Sequence, residues 1–213
     1  MNKVKLILII ELCALFIALP YAARLGLLSR NPLPIIWLGA ILCLFYLKKH
    51  TAFDSPTLKI TISLRRELPT VLKRFALLGI LSLFSVFIFQ NEKLFYFPLN
   101  KPLLWALVIL LYPLLSAYPQ ELIFRKFFCH RYKQLFNTEE FEAIANGFFF
   151  ATAHLIFGNW VTLSLSFVGG YIFCRTYQKS NSLLLCTVEH SLYGLLIFTI
   201  GLGHYFYHGA MHP

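Results

Sequence analysis

Apolar runs of roughly membrane-spanning length recur along this chain, separated by short segments carrying charge, Pro or Gly. The runs extend from Lys5 to Ala23, Pro34 to Leu47, Phe75 to Gln90, Leu103 to Phe128, Phe141 to Phe157, Val161 to Tyr177 and Ser182 to Leu202. The pattern predicts an all-α fold, a polytopic transmembrane helix bundle of about seven spans forming one integral membrane domain over residues 1–213. No internal repeat or low-complexity tract interrupts it.

Two stretches need a separate reading. Lys3 and Lys5 precede an apolar run that ends near Pro20-Tyr21-Ala22-Ala23, which superficially resembles a signal peptide. Glu11 in the middle of that run, and the spans that follow, favour a retained first helix. The basic segment from Lys48 to Arg74 carries Leu64, Leu68, Val71 and Leu72 at helical spacing. Pro69 interrupts it, so one or two short interfacial pieces are expected, with a solvated loop as the alternative.

Composition supports the membrane reading. Hydrophobic residues make up 58% of 213 positions and charged residues 13%, far more apolar surface than a soluble core of this size could hide. The net charge of +10 does not point to nucleic acid, because Lys and Arg sit in short loops between apolar runs. Fourteen of the 19 fall on one side of the predicted spans. The positive-inside rule then places the N-terminus in the cytoplasm and, with seven spans, the C-terminus outside. The five cysteines are scattered, without a C-x-x-C pair, so neither a disulfide framework nor a zinc knuckle is indicated.

Against this background the ionisable residues inside apolar runs stand out, since each costs roughly 2.5–3.5 kcal/mol at mid-membrane on insertion scales. Glu121 and Arg125 are one turn apart and share a helix face, as a structural ion pair or as part of a site. His154 follows Phe150-Ala151-Thr152-Ala153 in a helix that also carries Asn146 and Gly147. Glu189 and His190 lie in the last run. One shared polar cavity explains three such helices better than three independent accidents. A carboxylate, a guanidinium and two imidazoles supply a base, an orienter and oxyanion donors, the parts needed for acyl hydrolysis by water.

The ordered set Gln120-Glu121-Leu122-Ile123-Phe124-Arg125, Phe150 through His154, and His190 through Gly194 resembles the CPBP family of intramembrane endopeptidases. That family includes the type II CAAX prenyl endopeptidases and the Abi-type bacteriocin-processing proteins. The resemblance covers roughly Ala117 to Gly203, with a family-like catalytic core at about 103–205. It implies a peptidase acting on a membrane-embedded or lipid-anchored peptide in the bacterial inner (plasma) membrane. Glu121 with His154 would activate water, Arg125 would fix the carboxylate, and His190 would donate to the oxyanion.

Two positions depart from the family pattern. It opens with two adjacent glutamates, and the first of these is taken to activate water; here that position is Gln120, whose amide cannot accept the proton. It also places Asn four residues after the third-motif histidine, where this chain has Gly194. Three accounts fit: Glu121 is itself the base, Glu189 replaces the missing acid from the last helix, or the chain is a non-hydrolytic relative acting in immunity or as a scaffold. A proton-coupled carrier would use the same groups as a relay, but the broken-helix pairs of that class are absent.

No cofactor is expected. Two histidines and a carboxylate can make a catalytic zinc site, but H-E-x-x-H spacing is missing, and the resemblance implies a glutamate mechanism without obligatory metal. His204, His208 and His212 recur every four residues, as an interfacial aromatic tail or a metal patch. Gly169-Gly170 predicts close helix packing. The partners expected are membrane lipid and the peptide substrate, with no nucleic acid.

Overall fold

A computed structural model of the chain describes residues 3–29, 31–50 and 57–206, the side chains of 57–63 excepted. Among these residues there is no strand, and 88% of them are helical. Seven long helices follow one another: α1 (Lys3–Arg24), α2 (Leu33–His50), α3 (Thr57–Phe89), α4 (Pro102–Arg131), α5 (Glu139–Ala153), α6 (Trp160–Ser180) and α7 (Leu183–Ile200). Each predicted apolar run coincides with one of them, although the third, fifth and seventh extend past a helix end, the fifth as far as Phe157 where the helix stops at Ala153. α1, α2, α4, α7 and the Leu64–Phe89 part of α3 are long and apolar enough to cross a membrane. α5 has 15 residues, roughly 22 Å at 1.5 Å per residue, short of a hydrocarbon core of about 30 Å.

The chain is an all-α membrane bundle, and its surface says why. On α3, Leu77, Ile80, Leu81, Phe84, Phe87 and Ile88 are all exposed, a stripe at helical spacing that only lipid can cover. The basic stretch before it differs from expectation. α3 runs unbroken from Thr57 through Pro69, where one or two short pieces were predicted; residues 51–56 lie outside the described residues. Pro69 removes one backbone hydrogen bond without ending the helix, as membrane helices tolerate.

Two other prolines leave carbonyls for neighbouring helices to satisfy. Pro20 has no N–H to offer the Phe16 carbonyl four residues earlier, and Thr152 Oγ1 of α5 donates to that oxygen. Pro119 stands in the same relation to Leu115, whose carbonyl accepts from Trp37 Nε1 of α2 at 3.0 Å. Unmet backbone groups are costly in lipid, so each proline fixes a contact between helices. π turns at Ala14–Ala18, Pro113–Ala117 and Leu122–Phe127 accompany these sites.

The remaining boundaries are set by caps. Thr138, Asn159 and Ser182 begin α5, α6 and α7, each accepting an N–H from three residues on. The C-terminal α5–α6 pair packs backbone to backbone. A Cβ on Gly147 would lie 2.8 Å from the Phe167 carbonyl oxygen, and one on Gly170 2.9 Å from Gly147 Cα. Gly170 therefore does what the Gly169-Gly170 pair predicted, whereas Gly169 meets only the Phe173 ring. Phe16 of α1 sits among Phe124, Phe128, Tyr132 and Phe149, with ring centroids 5.2–6.0 Å apart, closing α1 onto α4 and α5.

Candidate active site

At the middle of α4, the π turn Leu122–Phe127 sets the register of the site. The Phe128 N–H reaches the Ile123 carbonyl rather than that of Phe124, as an α-helix would require. Asn146 of α5 fills the gap, its Nδ2 donating to the Phe124 carbonyl at 2.7 Å. Its Oδ1 accepts from Arg125 Nη1. A single asparagine thus satisfies the released carbonyl and grips the guanidinium.

Arg125 also pairs with Glu121, Nε to Oε2 at 2.9 Å and Nη2 to Oε1 at 3.3 Å. Its guanidinium carbon lies 5.0 Å from the Phe150 ring centroid and 5.5 Å from that of Phe173. Glu121, Arg125 and Asn146 have 0% relative exposure, so each depends on the others for its hydrogen bonds.

His190 of α7 completes the chain of contacts. Its Nδ1 is 2.8 Å from Glu121 Oε1 and its Nε2 3.1 Å from the Tyr112 hydroxyl. A carboxylate paired with Arg125 only accepts, so Nδ1 carries the proton. The ring stacks on Phe173, at 4.8 Å and 19°. Glu121, Arg125 and His190 therefore meet, as the sequence suggests. His154 bonds elsewhere, its Nδ1 donating to the Phe150 carbonyl at 2.8 Å. That leaves Nε2 with its lone pair in plane, the tautomer a general base needs.

A cavity of about 1200 Å³ lies beside this cluster, walled largely by Leu, Ile and Phe of α1, α2, α4, α6 and α7. His154, His190, Tyr112, Gln120 and Ser116 give it a polar patch. Gln120 donates from Nε2 to Ser116 Oγ at 2.8 Å. Glu121 is not among the cavity-lining residues. The adjacent positions 120 and 121 thus divide the work, the amide facing the cavity and the carboxylate turned into the protein.

Glu189 does not join them. It pairs with Arg74 of α3, whose Nη2 also donates to Thr176 Oγ1 at 2.7 Å, and so ties α3 to α6 and α7. Its fellow intramembrane carboxylate Glu11 is held by both Arg131 and Tyr132. His204 bonds the Gly201 carbonyl through Nδ1 and Lys93 through Nε2; His208 and His212 lie outside the described residues. Among the described residues no three His, Cys, Asp or Glu side chains gather as metal ligands.

Residues 102–196 match the model of the family described as type II CAAX prenyl endopeptidase Rce1-like. Over this region the chain is similar to the Rce1-like family. The match runs from the first residue of α4 into α7 and takes in every member of the buried cluster. No curated protein and no solved structure matches the chain. The Rce1-like family is a protease family whose substrates are membrane-associated prenylated peptides, and the chain is an integral membrane protein. Sequence reasoning passed over Tyr112, an aromatic in an apolar run with no motif around it. Asn146 was visible only as a polar residue at the right depth.

Proposed function

We propose that this Rce1-like protein is an intramembrane endopeptidase that hydrolyses a peptide bond of a lipid-anchored peptide, with His154 as the base. The observation that carries the reading is the cavity. Its apolar walls suit a hydrocarbon tail, its volume exceeds the ~300–1,000 Å³ of ordinary ligand pockets, and its polar patch holds two histidines in different hydrogen-bonding states.

His154 Nε2 takes a proton from water as the oxygen attacks the scissile carbonyl, and Gln120 orients that water through its amide. The oxyanion forms on the side of His190. His154 then returns the proton to the leaving amine as the C–N bond breaks, so one water is consumed per bond cleaved. Glu121 is a positioning residue here, holding Arg125 and the His190 tautomer rather than touching water. No step calls for a metal. The basic ends at Lys3, Lys5, Lys48, Lys49, Arg131 and Lys179 support a cytoplasmic N-terminus in a bacterial inner membrane.

A second reading is favoured by Gln120 alone. With an amide where the family carries its acid, the cavity would hold a lipidated peptide without cutting it. Purified protein in liposomes, given prenylated and unmodified versions of one peptide, separates the two. Hydrolysis predicts products from the prenylated peptide that disappear in His154→Ala. Binding alone predicts retention without products, and cleavage appearing only in Gln120→Glu.

A further inference from the structure

Tyr112 occupies a place in the site that no motif announces. Its hydroxyl is 3.1 Å from His190 Nε2, its ring packs edge-on against His190 and Phe198, and it lines the cavity with His190 and Gly194. Gly194 explains how it fits. A Cβ at that position would lie 2.4 Å from Tyr112 Cε1, Cζ and Oη, closer than any real contact. Gly194 sits in the middle of α7, where glycine costs about 1 kcal/mol relative to alanine, so the sequence gives up helix stability where the phenol needs space.

We propose that the Tyr112 hydroxyl is the oxyanion donor of this site, held in place by His190. This rests on the hydrolytic reading above. Hydrogen-bond direction decides the assignment. Glu121 accepts from the Nδ1–H of His190, so Nε2 is an acceptor and the phenolic O–H of Tyr112 donates to it. That O–H rotates about its C–O bond and turns from Nε2 to donate to the carbonyl oxygen of a peptide in the cavity as negative charge develops there. No proton leaves Tyr112; the charge is met by the phenolic hydrogen bond, which returns to His190 Nε2 when the intermediate collapses. His190 is at once shielded on one face by Phe173 and capped at Nε2, so it reaches the substrate through the phenol.

The test uses the full-length protein in liposomes with two probes, a prenylated peptide and its phosphonate analogue, whose oxygen carries the charge of the tetrahedral intermediate. Tyr112→Phe keeps the ring and removes only the donor. It should weaken phosphonate binding by about 100-fold, leave binding of the uncleaved amide unchanged, and lower kcat with KM preserved. Gly194→Ala should reproduce the phosphonate loss by pushing the ring aside, while Tyr112→Ala, which also empties packing space, should weaken both probes. Equal phosphonate affinity of wild type and Tyr112→Phe, whether tight or immeasurably weak, overturns the assignment. Failure of the hydrolytic reading shows separately, as absence of product from the wild type.

Discussion

Arg125→Ala is the sharpest test of how the buried cluster holds together. The substitution removes the cation facing Glu121, the Nη2–H donated to its carboxylate, the bond to Asn146 Oδ1, and the contacts with the Phe150 and Phe173 rings. Since Glu121 and Arg125 have 0% exposure, water cannot replace what is lost. Removing one member of a buried pair typically costs about 3–5 kcal/mol, because the other charge stays buried and unpaired. Glu121→Ala should cost a similar amount, stranding Arg125 with Asn146 alone. The double variant buries no charge, so it should be less destabilised than the two singles together, with a coupling of about 2–3 kcal/mol. Reversible unfolding of the four proteins in one detergent, followed by circular dichroism, gives each number. Singles that cost under about 1 kcal/mol, or that add without coupling, would refute the picture of an interdependent cluster.

Two further stability predictions follow from the same structure. Gly147→Leu should cost about 1–3 kcal/mol in the same unfolding assay, because its Cβ would meet the Phe167 carbonyl oxygen at 2.8 Å and backbone cannot step aside; a neutral effect would mean that α5 and α6 are not in close contact. Arg74→Ala should cost about 3 kcal/mol by stranding the Glu189 carboxylate, and adding Glu189→Gln should recover most of it, whereas a double variant as unstable as Arg74→Ala would show that the charge is not what matters.

Much of this architecture is legible in the sequence because lipid imposes one pattern on every span. The pairing of Glu121 with Arg125 is equally legible, since four residues make one turn and two charges in an apolar helix need each other. Their meeting with His190 required only that three polar helices share a cavity. What the sequence conceals is direction. Residues 120 and 121 differ by about 100° around a helix, which decides that Gln120 meets the cavity and Glu121 faces Arg125 and His190. Glu189 and His190 part in the same way, toward Arg74 and toward Glu121. The π turns are a second hidden factor, because a one-residue shift in hydrogen bonding leaves no compositional trace. Asn146 becomes meaningful only when it is seen holding the carbonyl that such a turn releases. The unbroken course of α3 through Pro69 likewise reflects how membrane helices tolerate proline, which propensity alone hides.

Water activated by His154 should cut a lipid-anchored peptide inside this cavity. Cleavage of a prenylated peptide in liposomes made up in H₂¹⁸O tests it most directly, with the products weighed by mass spectrometry. One ¹⁸O is expected in the newly formed carboxylate, and a rate at least about 100-fold lower in His154→Ala. Product formed by His154→Ala at the wild-type rate, or a carboxylate free of ¹⁸O, would contradict it.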